Sequence, residues 1–319
     1  MIDPILSKEN PSFEPTYIGN VRECYKCVDD PRLFLVYTSD RAAARRSAFP
    51  ITIPGKGNVF TSMTHQWLNL METHQLISSL HASGYRKLYH HLLGDEFSAL
   101  KLSPSEIRRL NGQTVIVRRA EHLLPIVCTV QGYDIDGKVG HERQRAATAP
   151  YAQLEPGPLC LAATKNDPDA DLSPQDTLRI LERFFIKSDI RLSPEKISRC
   201  LRENALALYQ RAHDHALERK VLIAKSVFEF GLVSTDDGDS LSPMVVGRFL
   251  TPDSTIYWDA ETYDPELSPN AFSEQQITAR LKAFAAKTGQ HRGIHSAIDS
   301  ETISSIAGMY GELNRRLFS

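Results

Sequence analysis

The sequence has no long hydrophobic run, few cysteines and almost no net charge. No apolar segment approaches the ~18–20 residues that a membrane-spanning helix needs, and the acidic N-terminus lacks the apolar region of a signal peptide. The net charge of −2 gives no electrostatic basis for binding nucleic acid or an anionic membrane. We therefore expect a cytoplasmic protein, a monomer or small homo-oligomer, whose partner is a small-molecule substrate.

The five cysteines are an odd and scattered set, which suits a reducing compartment rather than a disulfide framework. Cys24 and Cys27 have the spacing of a C-x-x-C motif, but no second pair completes a zinc site. On a strand, a spacing of three also directs the two thiols to opposite faces. We expect neither a redox role nor a metal role for these cysteines.

Strand and helix signals along the chain predict an α+β fold with two lobes. Short strands are predicted at Tyr17 to Tyr25, Leu33 to Thr38 and Asn58 to Thr61. Apolar residues at helical spacing predict a helix from Met63 to Ser83. Ser-Pro pairs at 103–104, 173–174 and 193–194 are helix start signals, and the third opens a long helix that leads into a strand at Val221. We predict a β-rich N-terminal lobe over residues 1–112, a mixed α/β lobe over 113–265 and a helical tail over 266–319.

The strand from Val221 to Gly231 has one face that does not suit a core. With a side-chain period of two, Lys225 and Glu229 share a face with Val227, while the other face carries ordinary apolar residues. Two ionisable groups on a half-buried face cost free energy unless they meet partners, solvent or a ligand. This face is therefore either a solvated edge or the floor of a binding cleft, and the two charges form either a site or a structural ion pair.

Seven groups of segments follow one another in the order found in one enzyme family. The two most specific are Phe228 to Gly231, which reads Phe-Glu-Phe-Gly, and Leu250 to Ser254, which reads Leu-Thr-Pro-Asp-Ser. The others are Gly19 to Tyr25, Leu35 to Arg41 with Ser47 to Phe49, Gly55 to Thr61, Val115 to Arg119 with Pro125 to Tyr133, and Thr164 to Asp167. Together they resemble the SAICAR synthetases, which join a carboxylate to the amino group of aspartate at the expense of ATP. The resemblance covers nearly the whole chain and implies a cleft between two lobes that holds ATP.

The resemblance also implies site residues at the matching positions. The candidates for catalysis are Lys225, Glu229, Arg248, Asp40 and Tyr133. The candidates for substrate binding are Arg41, Ser47, Gln131, Asp136, Asp253 and Ser254. The candidates for holding the ATP phosphates are Arg22, Arg118, Arg119 and Lys165, and those for a metal ion are Glu229 and Asp169.

Many positions that depart from the family pattern are those that handle phosphate or metal. Lys225 replaces an aspartate of the family, and Gly247 and Arg248 replace an acidic pair. A lysine at a metal-ligand position repels Mg²⁺. Gln131 and Ile256 replace two arginines, and arginine is the residue that recognises phosphate with two hydrogen bonds.

These departures lead to three hypotheses. The first is a SAICAR synthetase-like enzyme repurposed for another small molecule, forming a C–N bond or a ring in specialised metabolism, with no cofactor required. The second is an ATP-dependent amide-forming ligase with a rebuilt site, which uses ATP and Mg²⁺. The third is a pseudoenzyme that only binds a ligand. We favour the first on the sequence alone.

Overall fold

The computed structural model of the chain describes residues 4–6, 10–19, 21–28, 31, 33–44, 47–73, 104–110, 112–135, 149–165, 167–234, 240–272 and 300–319. The strands in these ranges are β1 (Phe13–Ile18), β2 (Arg22–Cys27), β3 (Leu33–Thr38), β4 (Arg41–Ala44), β5 (Ser47–Thr52), β6 (Thr114–Arg118), β7 (His122–Gln131), β8 (Leu159–Thr164), β9 (Asp167–Asp171), β10 (Val221–Ser234), β11 (Leu241–Val246) and β12 (Thr255–Asp259). The helices are α1 (Lys56–Thr73), α2 (Pro104–Leu110), α3 (Pro174–Lys187), α4 (Pro194–Leu217) and α5 (Ser300–Phe318). None of these helices is long and apolar enough to cross a membrane.

The chain divides into two compact units, each with its own antiparallel sheet. The first unit contains a four-stranded sheet in the order β1-β2-β3-β6 and the separate pair β4-β5. Phe13, Tyr25 and Leu35 are fully buried in its core. The predicted single strand from Tyr17 to Tyr25 is wrong, because β1 ends at Ile18 and the chain reverses into β2, which begins at Arg22 and pairs antiparallel with β1. The predicted α+β class is confirmed, while the division at residues 112 and 265 and the cleft between lobes stay predictions.

The second unit is built on a larger sheet in the order β11-β10-β7-β8-β9, with β12 also paired to β10. Strand β10 is its longest strand and bonds to β7, β11 and β12 along different parts of its length. Helices α3 and α4 pack against this sheet. Strand β10 therefore links β7, β11 and β12 in one sheet.

The Ser-Pro start signals correctly predict three helices. Helices α3 and α4 begin at Pro174 and Pro194. The hydroxyls of Ser173 and Ser193 accept hydrogen bonds from the backbone N–H groups of Asp176 and Lys196, the third residue of each helix, at 3.0 and 3.2 Å. Helix α2 begins at Pro104 as predicted. Helix α4 ends at Leu217, four residues before β10, so the predicted passage from long helix to strand is confirmed.

The predicted start of helix α1 is wrong, because the helix begins at Lys56 and includes the residues predicted as a strand at Asn58 to Thr61. The cause is a cap that is distant in sequence. The carboxylate of Asp40 accepts hydrogen bonds from the backbone N–H groups of Gly55 and Gly57 at 3.0 and 2.8 Å. Gly55 has φ +77°, a conformation that glycine adopts without strain. The predicted C-terminal part of this helix lies outside the described residues, as do residues 273–299 of the predicted helical tail.

Helix α4 carries an aromatic stack into the core of the second unit. The ring of His213 stacks between Tyr209 and Tyr133, with ring centroids 5.8 Å apart in both pairs, and the Tyr133 hydroxyl lies 3.1 Å from His213 Nε2. The Tyr209 hydroxyl donates to the Ile223 carbonyl of β10. Burial lowers the pKa of His213, with a smaller opposing effect from Asp214.

We predict that replacing Asp40 with alanine destabilises the protein by about 1–3 kcal/mol. The backbone N–H groups of Gly55, just before helix α1, and of Gly57, in its first turn, would lose their acceptor, as would the side-chain amide of Gln113. Urea unfolding followed by circular dichroism measures this change. Glu182→Gln, at an exposed position on α3, is the control and should leave the midpoint unchanged. An Asp40→Ala variant as stable as the native chain would contradict the capping role.

We predict that His213 makes stability depend on pH. Its folded pKa lies below its unfolded value of ~6.5, so the unfolded chain binds the proton more readily. Its contribution is therefore present above pH ~6.5 and is lost as pH falls, by up to about 1.4 kcal/mol per pH unit. Melting temperatures from pH 8 to pH 5 should fall more steeply for the native chain than for His213→Gln. Parallel curves would show that His213 does not remain neutral in the folded state.

Candidate active site

The alternation of β10 places charged residues on one half-buried face, as predicted. Lys225, Val227 and Glu229 are partly exposed, whereas Ser226 and Phe228 between them are fully buried on the opposite face. The predicted strand and its two faces are confirmed from residue 225 to residue 230. From Val221 to Ala224 both faces are buried, so the charged face covers only the middle of the strand.

Glu229 lies between two cations that come from neighbouring segments of the same unit. Its Oε2 is 3.8 Å from Lys165 Nζ, and its Oε1 is 3.4 Å from Arg248 Nε. Lys165 follows the end of β8, and Arg248 follows β11 by two residues. The three side chains are 21%, 29% and 39% exposed for Glu229, Lys165 and Arg248. We call these three residues the Glu229 cluster.

Lys165 is partly buried within the Glu229 cluster. Burial lowers its pKa, and the nearby Glu229 carboxylate opposes this effect only in part. A partly desolvated ammonium group interacts more strongly with an anion than a fully hydrated one does. The cluster is therefore suited to attracting negative charge.

Gly247 brings backbone close to Glu229. A Cβ atom at this position would lie 3.1–3.3 Å from the carboxyl atoms of Glu229, and the residue has φ +72°. Glycine meets both demands, since it has no side chain and adopts positive φ without strain. The acidic side chain that the family pattern has at this position would point at the Glu229 carboxylate.

The Thr-Pro-Asp-Ser turn is fixed next to the Glu229 cluster. Arg248 Nη1 donates to the Asp253 carbonyl at 3.1 Å, and the Thr251 hydroxyl donates to the Asp253 carboxylate. The Ser254 hydroxyl donates to the Thr251 carbonyl at 3.1 Å, and the Ser254 carbonyl accepts from Val227 N–H at 2.9 Å. The structure thus brings Asp253 and Ser254 beside the same stretch of β10.

Other predicted residues of the second unit lie on β7 and just beyond it. Gln131 pairs with Lys225 across the strands, is buried, and donates from Nε2 to the Tyr133 carbonyl at 2.9 Å. Burial raises the pKa of Tyr133 to about 12, so its hydroxyl stays protonated at neutral pH. His213, which contacts that hydroxyl, was missed by sequence reasoning, because no spacing signal links it to a residue 80 positions away.

The predicted residues of the first unit have structural partners there. Asp40 caps helix α1, as described above. Arg41 Nη1 donates to the fully buried Glu23 at 2.7 Å, and its Nη2 donates to the Gly19 carbonyl at 3.1 Å. Arg119 lies over the ring of Phe34 at 5.7 Å. Their proposed roles in catalysis and binding stay predictions, as does that of Arg22, which lies in β2 opposite Thr38.

Some predicted site residues lie outside what the structure describes. Asp136 is one of them, and the side chains of Ser47, Arg118 and Asp169 are others. Among the described residues, no group of three or more histidine, cysteine, aspartate or glutamate side chains is arranged to hold a metal ion.

Comparison with known proteins identifies the family. The SAICAR synthetase family model matches residues 15–292. A phosphoribosylaminoimidazole-succinocarboxamide synthase of Methylococcus capsulatus is 30% identical over 83% of this chain and 82% of its own length. One of Saccharopolyspora erythraea is 31% identical over 94% of this chain and 92% of its own. The structure of the SAICAR synthase from Saccharomyces cerevisiae, complexed with SAICAR, superposes with a TM-score of 0.73 at 22% identity and covers 98% of this chain and 97% of that one.

These relatives overturn the hypothesis of a repurposed enzyme. They are synthases of one named reaction and match this chain over most of its length, which supports the ATP-dependent ligase alternative instead. The substitutions at positions 225, 247 and 248 had suggested a different reaction, but they occur within a chain that matches the family over residues 15–292. The chain belongs to the SAICAR synthetase family.

Proposed function

We propose that this protein is an ATP-dependent ligase that joins the carboxylate of a phosphoribosylaminoimidazole to the amino group of aspartate. The observation that carries the proposal is the Glu229 cluster, which is built on the family's signature strand and turn. The names and coverage of the relatives support the same reaction. We also propose a cytoplasmic location, with which five unpaired cysteines agree.

The reaction forms an amide in two steps. A phosphoryl group of ATP passes to the substrate carboxylate and ADP leaves, and the amine of aspartate then attacks the acyl phosphate and releases phosphate. Negative charge is spread over the phosphoryl oxygens throughout. Fixed cations aimed at such oxygens stabilise the transition state in a site that excludes water.

Lys165 and Arg248 are the residues of the second unit that we propose for this role. Their charged heads lie on opposite oxygens of the same carboxylate, so Glu229 holds them at a fixed spacing. Arg248 is held further by its hydrogen bond to the Asp253 carbonyl. Preorganisation of this kind reduces the reorganisation that binding and catalysis would otherwise require.

The donor set of the Glu229 cluster does not fit a directly bound Mg²⁺. Protein sites for this ion use one or two carboxylates together with waters and substrate phosphates. Glu229 is already paired with two cations, and Gly247 contributes no side chain. We therefore assign the cluster to the phosphate groups themselves and derive no step through a metal ion at Glu229.

We predict that the purified chain forms phosphoribosylaminoimidazole-succinocarboxamide from the corresponding carboxylate, L-aspartate and Mg·ATP. Mass spectrometry should detect the amide only when all three substrates are present, with one ADP released for each amide. Lys165→Ala and Arg248→Ala should lower kcat/KM by about tenfold or more, because each removes a charge-assisted contact.

Lys220→Ala is the matched control for these variants. Lys220 forms an ion pair with Glu261 at 2.6 Å, but both side chains are largely exposed. Surface pairs of this kind contribute little to stability or function. ATP hydrolysis without amide formation, or no turnover at all, would contradict the proposed function.

A further inference from the structure

The Glu229 cluster has a formal net charge of +1, since one carboxylate faces an ammonium and a guanidinium. Each carboxylate oxygen has its own cation, Oε2 facing Lys165 and Oε1 facing Arg248. The negative charge that a divalent cation would need is thus already compensated by fixed positive charge. Placing Mg²⁺ against Glu229 would bring it close to two like charges, which is unfavourable at partly buried sites.

Gly247 lies next to the Glu229 carboxylate and adds no charge to the cluster. A Cβ atom added at Gly247 would lie 3.1 Å from the carboxyl carbon of Glu229. A second carboxylate at this point would make a pair of oxygens suited to Mg²⁺. Glycine at this position places no second carboxylate beside Glu229.

The cluster is also reachable from solvent. All three side chains are partly exposed, and Lys165 loses hydration through burial without being enclosed. An anion can therefore contact the ammonium and the guanidinium while both remain near the carboxylate. Arginine and lysine together provide a forked donor and a point charge, a combination that suits the oxygens of a phosphate group.

We propose that the Glu229 cluster binds a phosphate group directly through Lys165 and Arg248, with no divalent cation bridging that phosphate to Glu229. Glu229 then acts as a positioning residue that keeps the two cationic heads at a fixed separation. This inference rests on the proposed function for its choice of ligand, because both the nucleotide and the phosphorylated substrate carry phosphate groups. Its test measures binding and does not require turnover.

The test is isothermal titration calorimetry of the full chain with ADP and, separately, with ribose 5-phosphate. Each titration is run in EDTA and again in excess Mg²⁺. At least one probe should bind in EDTA with a Kd within about threefold of its value in Mg²⁺, and Arg248→Ala and Lys165→Ala should weaken that binding by about tenfold or more. The probe whose affinity falls in these two variants identifies the source of the phosphate. A fall for ADP indicates the nucleotide, and a fall for ribose 5-phosphate indicates the phosphorylated substrate.

Matched variants separate a direct role from a loss of folding. Lys220→Ala should bind as the native chain does, and Arg248→Lys should retain part of the affinity because it keeps the charge. Melting temperatures of all variants, measured before titration, show that each is folded. Binding that falls equally in Lys220→Ala and Lys165→Ala would overturn the proposal.

A second measurement tests whether a divalent cation binds to Glu229. Electron paramagnetic resonance of Mn²⁺ added with ADP should give the same Mn²⁺ affinity for the native chain and for Glu229→Gln. A fall of about tenfold or more in Glu229→Gln would place the ion on this carboxylate and overturn the proposal, as would the failure of both probes to bind in EDTA. A lack of turnover in the ligase assay would leave metal-independent binding intact, so the two proposals fail separately.

Discussion

The second unit depends on the pleat of β10. This strand bonds to β7 and β12 along its first half and to β7 and β11 along its second, so it cannot slip without breaking three pairings at once. Because successive side chains point to opposite faces, one residue of slippage would bury Lys225 and Glu229 and expose Phe228 and Phe230. The cost of that exchange keeps Glu229 on the face where Lys165 and Arg248 meet it.

The pairing of the neighbouring strands with β10 and β7 places the other residues of the Glu229 cluster. Strand β8 pairs with β7, and Lys165 directly follows β8. Strand β11 pairs with β10, and Gly247, which has a positive φ, turns the chain after β11 so that Arg248 lies against Glu229. The turn from Thr251 to Ser254 is held by its own hydrogen bonds. It is also held by the hydrogen bond from the Val227 N–H of β10 to the Ser254 carbonyl. Segments that are distant in sequence are thus joined on one face by backbone pairing.

Local signals in the sequence predicted the elements that depend on local interactions. Strand β3 has the predicted bounds, and the three Ser-Pro signals each precede a helix that begins at the proline. The hydroxyls of Ser173 and Ser193 act within the first turn of their own helices. The start of α1 was not predictable in this way. Its cap is the side chain of Asp40, which precedes the helix by 16 residues and is held by Gln113 from a third segment.

The candidate site was predictable in part, and its chemistry less so. The alternation of β10 and the resemblance of several segments to the family led to Lys165, Glu229 and Arg248 as candidate residues, and their roles stay predictions. The ion pairs among them were not predictable, because they depend on the three-dimensional arrangement of β8, β10 and β11. The interpretation as a repurposed enzyme gave too much weight to single substitutions, and the match to the family over most of the chain corrects it.

Crystals grown with ADP and Mn²⁺ test most directly whether Lys165 and Arg248 bind phosphate while Glu229 binds no divalent cation. Anomalous diffraction locates the metal independently of the model of the ligand. We expect phosphate oxygens within hydrogen-bond distance of Lys165 and Arg248, and no Mn²⁺ peak bonded to Glu229. A Mn²⁺ ion coordinated by Glu229, with Arg248 turned away from the carboxylate, would contradict the account.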